Sequence, residues 1–167
     1  MPEPTGPGHT VLRHRSIGPD HDTVSVLVVD ATGTRVFLHR HRRAGTWGQF
    51  GGHPDPTDAD HRAAAARELR EEAGIAAPAG ALRGPVEITD LPGFGACGTH
   101  RDHLYVFVHP SASPAAEAPA AGESRDLAWF PGHDLPADVM PDLQERIPRL
   151  LAGLGLPTGP DLPAGPD

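Results

Sequence analysis

The sequence predicts an α/β domain in which helices pack on a mixed β-sheet, and three observations carry the prediction. Residues 23–30 (TVSVLVVD) and 35–40 (RVFLHR) are β-rich runs joined by the turn residues ATGT. Residues 59–73 are dense in alanine, arginine, leucine and glutamate, the residues of highest helix propensity. Strand-like runs resume beyond that helix, so the chain alternates between the two periods.

The first two runs form an antiparallel hairpin, because β-branched residues flank a short turn. Thr57 or Asp58 is placed to N-cap the helix over 59–73, and Gly74 to close it in the left-handed conformation at C′. Residues 86–89 (VEIT), 103–110 (HLYVFVHP) and 126–130 (DLAWF) supply further strands. Residues 138–154 (DVMPDLQERIPRLLAGL) keep helical periodicity despite internal prolines and predict a closing helix.

Twenty glycines and twenty prolines approach low-complexity composition, but many gather in three places. Residues 1–19 predict a flexible N-terminal segment, residues 110–124 a mobile loop too proline-rich for a helix, and residues 155–167 a disordered tail. The folded domain is thus expected over residues 20–154. A chain of 167 residues has room for one such core.

Charge narrows the chemistry. Twenty-two acids against 14 bases leave a formal charge of −8, which disfavours nucleic acid and anionic membrane partners. An acidic protein that handles phosphates needs a metal. Cys97 is the single cysteine, so no internal disulfide and no multi-thiolate zinc site can form, which suits the cytoplasm. The first residues lack an apolar signal region, and no stretch has the length of a membrane span. All the basic side chains apart from histidine are arginines, so Schiff-base chemistry and the lysine-dependent phosphate loop are both excluded.

The most telling stretch is GGHPDPTDADHRAAAARELREEAGI, residues 51–75. On a helix Glu68, Glu71 and Glu72 share a face, and like charges at i,i+4 destabilise an isolated helix by about 0.2–0.5 kcal/mol. A hard divalent cation would turn that repulsion into a site, completed by waters and substrate phosphates. An Arg67–Glu71 surface ion pair is the competing structural explanation. Gly51 and Gly52 tip the balance toward a site, since bare backbone there leaves a carbonyl accessible as a ligand.

These residues resemble the Nudix box, a glycine followed by five residues, Glu, seven residues, then Arg-Glu-apolar-x-Glu-Glu-x-Gly-apolar. Residues 67–75 (RELREEAGI) match the second half at every fixed position. The first half departs: Asp58 stands where glutamate is expected, and eight residues separate it from Arg67. In the family that glutamate mostly pairs with the box arginine, and here Asp58 is available as a helix cap instead. The resemblance implies an α/β/α sandwich with a mixed sheet, and Mg2+-dependent (or Mn2+-dependent) hydrolysis of a nucleoside diphosphate linked to another group. It implies Glu68, Glu71, Glu72 and the Gly51 carbonyl as metal ligands and Arg67 as the residue that orients the glutamates. Glu68 is one candidate base, and Glu123, in the loop outside the box, is another. A homodimer is the assembly common in the family. An altered first half also allows a Nudix-like module that binds a nucleotide without cleaving it.

Substrate contacts are sought around the box. Gly52 and His53 adjoin the helix, Arg40, Arg42 and Arg43 end the hairpin, and Trp47, Phe50 and Phe94 could stack on a base, although aromatics more often build core. Trp129 reads as packing. His100 and Asp102 are candidates for the lip of a pocket. His100 and His103 do not form a zinc pair on one strand, because side chains alternate with period two. Eleven histidines also permit a Zn2+ or Ni2+ buffer. A proline resembling the marker of ADP-ribose hydrolases, Pro92, lies close to the family position, and no tyrosine marks a dinucleoside polyphosphate enzyme. Nothing narrower than a phosphoanhydride substrate follows.

Overall fold

The computed structural model describes residues 18–93, 95–110 and 119–155. The N-terminal segment up to residue 17, Phe94, most of the proline-rich loop (111–118) and the tail from 156 lie outside the described residues. Seven strands form one sheet: β1 (His21–Val29), β2 (Arg35–Arg40), β3 (Trp47–Gly48), β4 (Phe50–Gly52), β5 (Arg83–Pro92), β6 (Thr99–Val108) and β7 (Leu127–Pro131). Two helices, α1 (His61–Ala73) and α2 (Leu143–Gly153), complete the domain. The strand order is β3-β2-β1-β6-β5, with β4 also on β1 and β7 on β2.

Strand β1 is buried along its whole length. One edge pairs in parallel with β6, and the other is shared between β2, at Val28 and Val29, and β4, at Val24 to Val26. The sheet is therefore mixed, as expected. Period-two alternation divides its side chains between two cores. Val24, Val26 and Val28 pack with Phe37, Phe50, Leu69 and Tyr105 against α1, whereas Leu27 and Val29 pack with Leu38, Leu104, Val106 and Ile147 against α2. This two-sided burial makes an α/β/α sandwich and explains why β1 reads as a continuous apolar run.

The hairpin turn is closed by Asp30, whose carboxylate accepts the backbone N–H groups of Thr34 (2.9 Å) and Arg35 (3.0 Å). Helix α1 ends at Gly74 as expected, with the Gly74 N–H on Arg70 O at 3.0 Å. Its start differs. Asp60, not Thr57 or Asp58, caps it by accepting the Ala63 N–H at 2.8 Å. Asp58 is drawn away by a stronger partner described below. Pro148 sits inside α2, where burial of Leu143, Ile147 and Leu151 holds the helix although one ladder hydrogen bond is missing.

Candidate active site

The glycine pair ends β4, which lies across β1 and brings residues 50–52 against one face of α1. Gly51 takes φ +150°, and a β-carbon there would fall 2.2 Å from Val24 O, so backbone alone fits. Its N–H donates to Glu72 Oε2 at 2.8 Å. A β-carbon on Gly52 would stand 2.7 Å from Glu68 Oε1. Two of the three helix glutamates are thus set directly against the glycine backbone.

Arg67 organises the rest. Its guanidinium donates to Asp58 Oδ2 (3.0 Å), Glu68 Oε1 (2.9 Å), Glu71 Oε2 (3.1 Å) and the His53 carbonyl (3.0 Å). Partial burial would lower its pKa, but the hydrogen bond to Asp58 and the charge of Glu68 outweigh that and raise it. The Arg67–Glu71 pair exists, yet it is one arm of a four-way clamp rather than an isolated surface bridge. Asp58 takes the arginine despite its shorter side chain and shifted spacing, which explains why it does not cap the helix.

Burial pushes the Glu72 carboxyl up to about 8, opposed by the Gly51 N–H and reinforced by Glu68, Glu123 and Glu71. Glu68 is raised in the same way, chiefly by burial, against the pull of Arg67. Glu71 is the more exposed of the three. Glu123 reaches this group because the Ala120 N–H donates to Glu71 O at 2.7 Å and the Glu123 N–H to Ala120 O at 3.2 Å. A segment remote in sequence is thereby pinned beside α1. His39, overlooked in the sequence, places Nε2 4.0 Å from Glu72 Oε2. Burial depresses its pKa to about 4, so at neutral pH the imidazole is neutral and this contact is no ion pair.

The remaining candidates disperse. Phe50 is fully buried between Phe37 and His39 and cannot stack on a ligand without leaving the core. Asp102 is also buried, accepting the hydroxyls of Thr23 (3.0 Å) and Ser25 (2.5 Å) near Arg146 of α2, so it is no pocket lip. Arg40 is half-exposed and pairs with Asp138 at 3.2 Å. Trp47 packs edge-on against Phe130, and Trp129 stacks on Phe37. His53 and His100 turn their rings toward His21, at 4.8 and 5.0 Å between centroids. His103 faces the other way, stacked on His61 at 3.9 Å, while His61 Nε2 meets Asp22 Oδ2 at 3.0 Å. The alternation expected of a strand thus sends His100 and His103 into separate clusters.

A NUDIX domain model matches residues 19–151. Among solved structures, a NUDIX-family hydrolase from Clostridium perfringens is 25% identical with a TM-score of 0.64, over 80% of this chain and 97% of that one. The NUDIX domain of Shewanella oneidensis NrtR, solved with ADP ribose, is 20% identical with a TM-score of 0.63, over 80% and 87%. A bifunctional NMN adenylyltransferase/ADP ribose pyrophosphatase from Francisella tularensis, solved with AMP and a Mn ion, is 23% identical with a TM-score of 0.61, over 83% of this chain and 43% of that one. No curated protein matches significantly.

Proposed function

The chain belongs to the Nudix family of pyrophosphohydrolases, and we propose that it cleaves a phosphoanhydride of a nucleoside diphosphate linked to another group, with Mg2+ or Mn2+ as cofactor. The observation that carries this reading is the carboxylate group of Glu68 and Glu72, set against the Gly51–Gly52 backbone with Glu71 and Glu123 as charged neighbours, and with Arg67 clamping Glu68 and Glu71. The site fits a hard cation: its oxygens are close enough to raise one another's protonation, and a divalent ion would relieve that repulsion. Glu68, Glu71, Glu72 and the Gly51 carbonyl would hold it. When bound, such an ion neutralises phosphoryl oxygens and favours ionisation of water.

The chain's own groups do the positioning. Arg67 holds Glu68 and Glu71 in one orientation and ties the loop after β4 to α1 through the His53 carbonyl. Gly52 leaves room for the Glu68 carboxylate. Glu123 is the carboxylate we assign to accept the proton of the attacking water, because Glu68 is already engaged by Arg67. A nucleotide-type ligand is supported by the ADP ribose and AMP held by two fold neighbours. The pairing of Asp58 with Arg67 supports catalysis over binding alone, since the altered first half still closes the clamp.

Among the described residues no helix is long and apolar enough to cross a membrane. The lone cysteine supports a reducing, cytoplasmic setting. The test is incubation with Mg2+ and a panel of ADP-ribose, NADH, nucleotide sugars, dinucleoside polyphosphates and nucleoside triphosphates, with products followed by mass. Splitting of one compound at its phosphoanhydride, lost in Glu72→Gln, is expected. Thermal stabilisation by a panel member without turnover would instead assign a binding module.

A further inference from the structure

We propose that His21, His53, Cys97 and His100 form a structural Zn2+ site, separate from the carboxylate site. Each residue offers one ligand atom, and these atoms lie within 4.8 Å of one another. Tetrahedral zinc with bonds of about 2.0–2.3 Å separates its ligands by roughly 3.3–3.8 Å, so small side-chain rotations close the cluster. Three imidazoles and a thiolate are a zinc donor set rather than a magnesium one.

Four different parts of the chain converge here, each fixed by backbone. His21 and His100 are partners in the parallel β1–β6 register. His53 directly follows β4, which ends at Gly52 opposite Val24. The turn carrying Cys97 is held by the Gly93 N–H on Gly98 O and the Gly98 N–H on Pro19 O, both 2.8 Å, and by the Thr99 N–H on Asp20 Oδ1 at 2.8 Å. Cys97 Sγ then lies 3.9 Å from His53 Nε2, and the His53 and His100 ring centroids are 5.1 Å apart.

His21 gives the independent indication. It is 1% exposed, and its Nδ1 donates to Gly18 O at 3.0 Å, which leaves the lone pair on Nε2. That Nε2 is buried with no hydrogen-bond partner among the described residues. A backbone carbonyl orienting one ring nitrogen while the other faces a cluster of donors is the usual outer support of a metal-bound histidine. Four protein ligands close the coordination shell, which makes the site structural rather than catalytic. It would fasten the 93–98 turn to the entry of β1 and fix His53, whose carbonyl receives Arg67.

The test uses the full chain stripped by a chelator and titrated with Zn2+ against a chromophoric competitor, then with Co2+. Expected are one equivalent of tightly held Zn2+, a rise in Tm, and a Co2+ spectrum with tetrahedral d–d bands and thiolate charge transfer. Cys97→Ser should abolish the charge-transfer band and weaken Zn2+ at least about tenfold, and His21→Gln should weaken it similarly. Glu72→Gln should retain both spectrum and affinity. The proposal is overturned if the stripped wild-type protein takes up no Zn2+, if its Co2+ spectrum lacks thiolate charge transfer, if the Cys97 and His21 variants bind as wild type, or if Glu72→Gln removes the site.

Discussion

The Gly51 N–H donates to Glu72 Oε2 at 2.8 Å across 21 residues of chain, joining the middle of β4 to the last glutamate of the acidic stripe. The bond supports a carboxyl whose burial has already raised its pKa to about 8. Glu72→Gln preserves the shape and an oxygen acceptor while removing the charge a cation needs. We expect hydrolysis to fall by about two to three orders of magnitude, the size typical of one lost electrostatic contact. Steady-state kinetics with Mg2+ checks the loss, and melting of the metal-free variant at or above the wild-type Tm at pH 8 checks that the fold survives.

Stability of the metal-free protein should fall as pH rises from 6.5 to 8.5. Glu72 has a folded pKa above its ordinary value, so its contribution is present at low pH and lost as pH rises through about 8; Glu68 acts in the same direction. His39, depressed to about 4, contributes above 6.5 and loses that contribution as pH falls, so below 6.5 the two trends oppose. A Tm decrease on the order of a few °C is expected above pH 6.5. Calorimetry with and without Mg2+ reads it, and a profile as steep in Glu72→Gln would contradict the assignment.

The two glycines should respond differently to alanine. At Gly51 the new methyl meets the Val24 carbonyl and the φ of +150° is strained, so a stability loss of at least about 1–3 kcal/mol is expected in urea unfolding. At Gly52 the methyl meets only the end of the Glu68 side chain, which can swing aside. Gly52→Ala should therefore melt near wild type yet need more Mg2+ for half-maximal activity.

Asp58→Ala removes the carboxylate that occupies Nε and Nη2 of Arg67. A loss of about 1–3 kcal/mol is expected for a half-buried guanidinium left short of a partner. Because the same arginine holds Glu68, activity should fall with it. Wild-type kinetics in a destabilised Asp58→Ala would separate the clamp from catalysis.

Glu123→Gln should lower kcat, with little change in the Mg2+ dependence, whereas Glu68→Gln should change both. The difference follows from Glu68 lying against Gly52 and Arg67 while Glu123 enters from the segment pinned to Glu71 O. Mg2+ titrations of kcat in the two variants distinguish proton transfer from ion binding.

Local pattern alone determined much of this protein. The β-branched run, the alanine- and glutamate-rich helix and its closing Gly74 are statements about neighbours in sequence, and each is present, although α1 starts at His61 behind an Asp60 cap. The RELREEAGI stripe was legible for the same reason, since a helix puts positions three and four apart on one face. Tertiary structure decided the rest. Whether Asp58 caps a helix or meets Arg67 depends on where the loop returns, and Phe50 and Asp102 proved buried because strands and α2 from elsewhere cover them. His39 at Glu72, Glu123 beside α1, and the meeting of His21, His53, Cys97 and His100 all arise from long-range packing. Spacing along the chain cannot encode such proximity, because the sheet register and the crossovers between strands set it.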